Sequence, residues 1–223
     1  MSGGPDTQAL LRLMAWLSPA FPVGAFSYSG GLEQAVHDGR VCDRESLRKW
    51  LVTILAHGAQ WNDAVLLAEA YRACDDAERL HEIAELAEAL AGSAERHRET
   101  MLQGEAFLTA ASAWPHPVHD RIGTVAAYPV AVGAVAGAHE TGLEATLAAY
   151  LHASASNLVS VAIRCGVIGQ RDGVAVLTST EASISDVAAR AAISTLDDLG
   201  SVAILADIAS LAHETLVTRL FRS

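Results

Sequence analysis

Ser27 and Ser29 sit among glycines in GAFSYSGG, and nine histidines could serve as bases, so serine hydrolysis is the first chemistry to test. A nucleophile elbow needs G-x-S-x-G on a strand-to-helix turn, and the offsets here do not match it. The two hydroxyls read instead as caps for a helix beginning near Gly30. The same string lacks the lysine of a phosphate-cradling GxxxxGK[ST] loop, and Lys49, the sole lysine, lies elsewhere. A dinucleotide fingerprint would need a preceding strand and G-x-G-x-x-G spacing, and both are missing. HPVHD, His116 to Asp120, sets two imidazoles and a carboxylate close together. Proline keeps that backbone extended, so these groups could assist a surface metal site without closing one. The remaining histidines form no HxxxH pair. Asp75–Asp76 and Asp197–Asp198 fall where helices should start or end and read as caps and dipole partners. No catalytic, cofactor-binding or metal-ligating residue is assigned.

The elements that would carry any site are helical. From Asp43, a good N-cap, apolar or small residues recur at Leu47, Trp50, Leu51, Ile54, Gly58, Trp61 and Val65, one stripe of a single long helix. Asp75 or Asp76 caps the next, with Leu80, Ile83, Ala87 and Leu90 inward. A third spans 94–113, ended by Pro115 and Pro117. Within it Gly104 shares a face with Met101 and Leu108, where a glycine is tolerable if another backbone comes close. Further helices are expected over 124–138, 142–164, 183–200 and 202–219, with 166–173 a loop and GVAVLTS the only extended candidate. The fold expected is all-α: one domain over 1–223, with about seven to nine helices.

Composition agrees with close helix packing. Of 223 residues, 51% are hydrophobic and only 5% aromatic, and many are alanine. The net charge of −11 excludes a nucleic-acid binder, which needs clustered Lys and Arg. Cys42, Cys74 and Cys165 are scattered, as reduced cytosolic thiols are. The first 21 residues lack a basic n-region, so no secretory signal is expected. The stretch GTVAAYPVAVGAVAGA is too short and too weakly apolar for a membrane span. A cytoplasmic protein is expected.

Most information lies near the two ends. SPAFPVGAFSYSGGLE carries two stiffening prolines and a permissive Gly24, a recipe for a fixed chain reversal that presents Phe26 and Tyr28 inward or to a partner. In the last seventeen residues, DIASLAHETLVTRLFRS, apolar side chains (Leu216, Val217, Leu220 and Phe221) continue almost to the last residue. Two readings stand level. A helix ending in exposed Leu220 and Phe221 beside Arg219 and Arg222 would suit docking; alternatively the segment folds back onto its own core.

With YLHASASNLVSVAIRCGVIGQRDG between them, these two motifs make the chain resemble the urease accessory protein F (UreF) family over about residues 10–223. The resemblance implies an all-α, non-enzymatic protein of urease maturation. It would join the accessory protein UreD/UreH, recruit the GTPase UreG to apo-urease for nickel insertion, and form a homodimer in that assembly. It implies partner-binding roles for Phe26, Ser27, Tyr28 and Glu33 in the first motif and Gly169 and Gln170 in the second. In the third, 207–223, it implies them for His213, Glu214, Arg219, Leu220, Phe221 and Arg222. Deleting 219–223 is then expected to abolish partner binding and spare the helices. In the family's mid-chain pattern of arginine, serine and glycine on one helix, RHRETMLQGEAFL offers Arg96 or Arg98, Thr100 and Gly104. The alternative is a histidine-based nickel carrier using His116 and His119.

Overall fold

The most apolar sequence forms the middle of the molecule. In a computed structural model that describes residues 7–223, helix α8 (Tyr128–Ala138) is buried from Pro129 to Gly137. The first six residues, including the start of the segment read for a secretory signal, lie outside this description. Glycine and alanine on α8 let neighbouring backbones come close. A Cβ at Gly133 or Gly137 would strike the carbonyl oxygens of Leu67 and Tyr71 on α4 (Ala59–Arg72). On its other side α8 meets α6 (Ala94–Ala111), where Gly104 leaves room for the Ala126 carbonyl, as its position beside Met101 and Leu108 implied.

The described residues form eleven α-helices and two short 3-10 turns, with no strand. The all-α expectation holds, and the helices outnumber the seven to nine expected because short ones appear and one stripe breaks. Helix α1 (Thr7–Trp16) leads through the Ala25–Ser27 turn to α2 (Leu32–His37). The stripe from Asp43 is two helices: α3 (Arg44–His57) and α4 meet at Gly58, whose backbone is extended. There the Val202 amide donates to the His57 carbonyl at 2.9 Å, and Ala203 approaches Gly58. Asp43 caps α3 through a reciprocal box with Ser46. Asp76 and Ser93 cap α5 (Ala77–Ala89) and α6.

The turn expected at PHPVHD contains a five-residue helix, α7 (Val118–Ile122). Helix α9 (Leu143–Arg164) matches its expected span, whereas α10 (Gln170–Ala192) starts inside the expected loop and carries GVAVLTS as helix. Helix α11 (Ile204–His213) stops six residues short of the expected 219. Among described residues, α9 alone is long and apolar enough to cross a membrane; half of its most apolar window is buried inside the fold, as in a core helix.

Candidate partner-docking site

Gly31 lets α2 press onto α11, because a Cβ there would meet the Ser210 backbone at 2.7 Å. That contact aims Glu33, on the first turn of α2, at the residues beyond α11. Those residues form a strap. After His213 the chain leaves the helix and folds back, so the continuous helix with Leu220 and Phe221 exposed does not form. Phe221 is only 3% exposed, packed among Leu32, Leu158 and neighbours, with the Arg164 guanidinium 4.2 Å above its ring.

The strap is pinned by ionisable groups, with Glu33 and His213 buried at the centre. One Glu33 oxygen accepts the Leu220 amide at 2.7 Å. The other takes the Phe221 amide and His213 Nε2, each at 3.1 Å. His213 is wholly buried, and its Nδ1 lies 2.7 Å from Glu95. Glu95 also pairs with Arg219. His213 thus has a carboxylate on each ring nitrogen and ties Glu33 to Glu95. Glu214 turns back to accept the Ala94 amide at 2.8 Å, at the N-terminus of α6, where a carboxylate is favoured.

At the far end of the strap, the Ser29 amide and hydroxyl both donate to the Ser223 backbone oxygen. The Arg222 amide donates to the Ser27 carbonyl at 2.8 Å. Ser223 Oγ donates to Glu99 at 2.9 Å. Glu99 leads to the second half of the cluster, where Arg96 bridges it, at 3.3 Å, to Asp63 at 2.5 Å. Tyr150 donates to the same Asp63 oxygen at 3.0 Å. Burial works against the charge on Arg96, but Asp63 and Glu99 outweigh it and raise its pKa. Burial raises the pKa of Glu99, with Arg96 and Ser223 opposing. Burial and Asp63 push the Tyr150 phenol up as well. The paired arginine is therefore Arg96, while Arg98 is exposed. Thr100 accepts the first amide of α8, from Tyr128, at 3.1 Å. This charged floor lies under a cavity of about 540 Å³ between the 17–30 loop and helices α4, α6, α9 and α11.

The residues singled out near the two chain ends therefore converge. Ser27, Glu33, His213, Arg219, Leu220, Phe221 and Arg222 share one hydrogen-bonded assembly, with Tyr28 buried beside it, its carbonyl held by Asn157. Phe26 stands 67% exposed, its carbonyl held by Arg164 at 2.5 Å. Gly24 takes φ +72°, as the chain reversal requires. Gly169 and Gln170 lie apart: they begin α10, whose first turn is tied to α3 by Arg44 and Asp172, and make no side-chain hydrogen bond to the cluster among described residues.

Sequence reasoning missed Glu95, Glu99, Asp63, Tyr150 and Ser223 in this setting. Only the i, i+3 spacing of Arg96 and Glu99 hinted at a pair. Because Phe221 and Ser223 are buried, deleting 219–223 would uncover the side chains beneath the strap and leave Glu33 and Glu99 short of donors, so the deletion removes more than a surface contact. His116 and His119 do not converge on a common point: His116 Nδ1 accepts the Val118 amide at 3.2 Å, and His119 Nε2 lies 3.3 Å from the Trp114 carbonyl. No group of three or more His, Cys, Asp or Glu side chains among described residues is arranged to hold a metal ion.

The described residues define the class: an all-α protein whose most elaborate polar construction fastens and shapes a strap. Comparison with known proteins makes the class particular. The UreF family model matches residues 41–181. The chain is 66% identical to the urease accessory protein UreF of Rhizobium meliloti (strain 1021), over the full length of both. It is 64% identical to that of Sinorhizobium medicae (strain WSM419) and 61% to that of Agrobacterium fabrum (strain C58 / ATCC 33970), again end to end. This chain belongs to the UreF family.

Proposed function

We propose that the chain is a urease accessory protein that acts as a non-enzymatic adaptor in nickel insertion. It binds UreD/UreH, works in the cytoplasm as a homodimer within that assembly, and with its partner recruits the GTPase UreG to apo-urease. Nickel is the cargo of the assembly, and the chain performs no covalent step.

One observation carries the docking part of this reading. The strap backbone is fixed by Glu33, Ser27 and Ser29, yet Val217 and Leu220 point outward, 97% and 64% exposed, with Arg222 exposed beside them. A rigid backbone that shows apolar and guanidinium groups to solvent supplies both burial and orientation to a partner, without an ordering cost at the moment of binding. Phe26 adds an exposed aromatic on the loop that receives the strap. The partner-binding residues are accordingly Phe26, Val217, Leu220 and Arg222 by direct contact. Ser27, Tyr28, Glu33, His213, Glu214, Arg219 and Phe221 shape the surface. Gly169 and Gln170 would belong to a separate contact at the start of α10.

Co-expression with UreD/UreH and UreG, followed by size-exclusion chromatography with mass measurement, tests the proposal. The expected result is one particle containing the chain and UreD/UreH that retains UreG when GTP is present. Elution of the chain free of both partners would refute it.

A further inference from the structure

Two histidines that the strap does not use, His116 and His139, meet at the opposite end of α8. His139 ends that helix, and its ring lies 5.2 Å from that of His116 and 5.4 Å from that of Trp16 on α1. Trp16 in turn packs edge-on against Trp114 at 5.7 Å. Arg12, also on α1, donates to the His139 carbonyl at 3.4 Å. His119 Nε2 lies nearby, 3.3 Å from the Trp114 carbonyl. Helix α1 is thus held to the body by an aromatic stack with imidazoles in it.

The charges around this stack share one sign. Burial holds the His139 pKa down, and Arg12, His116 and His119 add to that; only the Trp114 carbonyl opposes. The nearby carboxylates do not compensate. Glu140 and Asp120 are exposed to solvent, and Asp75 is taken by Arg121 at 3.1 Å. On α4, the Tyr71 hydroxyl accepts the Gly142 amide. His116 has a second constraint. Its Nδ1 accepts the amide of Val118, the first residue of α7, so the ring caps that helix only while Nδ1 is bare. An imidazolium carries hydrogen on both nitrogens, which would set one N–H against another.

We propose that His116 and His139 form a proton-operated latch that clamps α1 to the body when neutral and releases it when they take up protons. The sign comes from linkage. Released, His139 is an ordinary histidine near pH ~6.5; clamped, burial holds it below that value. The latch is therefore fully closed above that pH and loosens as pH falls below it. Release would bare Trp16, Leu13 and Ala9, all buried in the closed form.

Hydrogen exchange read by mass spectrometry on the full chain at pH 7.5 and 5.5, corrected for intrinsic rates, tests the latch. Residues 7–17 and 114–122 are expected to open more at the lower pH, by about tenfold for each unit over which one histidine protonates. Peptides from α8 should not change. The double variant His116→Asn/His139→Gln should lose this pH dependence. An unchanged α1 in the wild type, or a double variant that responds as the wild type does, overturns the proposal. Should the variant not fold, histidine titration by NMR in the wild type decides. Midpoints for His116 and His139 that coincide with α1 opening support the latch, and midpoints that do not coincide overturn it.

Discussion

Truncating Phe221 to alanine asks how tightly the strap is fastened. The side chain is 3% exposed and carries the Arg164 guanidinium on its face. Emptying such a site costs about 3–5 kcal/mol when the surroundings cannot relax. Here they can, because residues 214–223 pass over the surface and could detach while α8 and α9 stay packed. The loss should therefore appear mainly as local opening. The reporters are the amides of Leu220 and Phe221, which donate to Glu33, and of Arg222, which donates to Ser27. Converted to an opening constant, the truncation speeds their exchange by roughly a hundred- to several-thousand-fold. Amides in the middle of α8 and α9 should keep nearly wild-type protection. Hydrogen exchange at neutral pH, with thermal unfolding alongside, reads both quantities. A large fall in the global melting temperature with unaltered exchange at 220–222 would refute the idea of a strap fastened separately from the core.

Gly133→Ala should destabilise the whole fold by about 1–3 kcal/mol or more, read by chemical denaturation, because the new methyl meets the Leu67 carbonyl where the α4 and α8 backbones touch. Glu99→Gln should gain stability relative to wild type as pH rises. Burial lifts the folded-state pKa of Glu99 above its ordinary value, so its contribution is present below about pH 4.3 and is lost as pH rises through the folded value. Melting temperatures of the two proteins at pH 4.5 and pH 7 check the sign: the variant should compare better at pH 7. Asp43→Ala removes the side-chain half of the box that starts α3, leaving the amide of residue 43 on Ser46 Oγ, and should cost about 0.5–2 kcal/mol, measured by the same denaturation.

Where the sequence was legible, local signals and tertiary structure agreed. Asp43 and Asp76 stand before apolar stripes and cap the helices they precede. Gly104 was readable because a glycine in a helix interior demands a reason, and the Ala126 carbonyl supplies it. The break at Gly58 was hidden, since α3 and α4 both face the core and the apolar stripe runs on across the joint. Contact with residues 202–203, far along the sequence, bends the chain there. Helix α10 was missed in its first half because Val174, Val176 and Thr178 favour extended backbone weakly. Packing of Gly173 against Val159 and Ile163 of α9 overrides that preference. The strap was the hardest to read. No proline or glycine follows His213, and the helix ends because Glu33, Glu95 and Glu99 capture the chain beyond it. In the sequence Glu95 and Glu99 look like any acids on a solvated helix. Glu33, Ser27 and the strap residues were reached through the family resemblance, and residue spacing alone did not show that the two motifs meet.

The outward groups of the strap are proposed to dock the partner, while the inward ones only hold it in shape. Leu220→Glu/Arg222→Glu alters two exposed side chains and leaves the backbone bonds to Glu33 and Ser27 available. Affinity for purified UreD/UreH, measured by biolayer interferometry beside thermal unfolding, separates docking from folding. Binding is expected to fall by at least about tenfold, since a contact residue that matters costs more than 1 kcal/mol, with the melting temperature unchanged. Wild-type affinity in the double variant would contradict this division of roles.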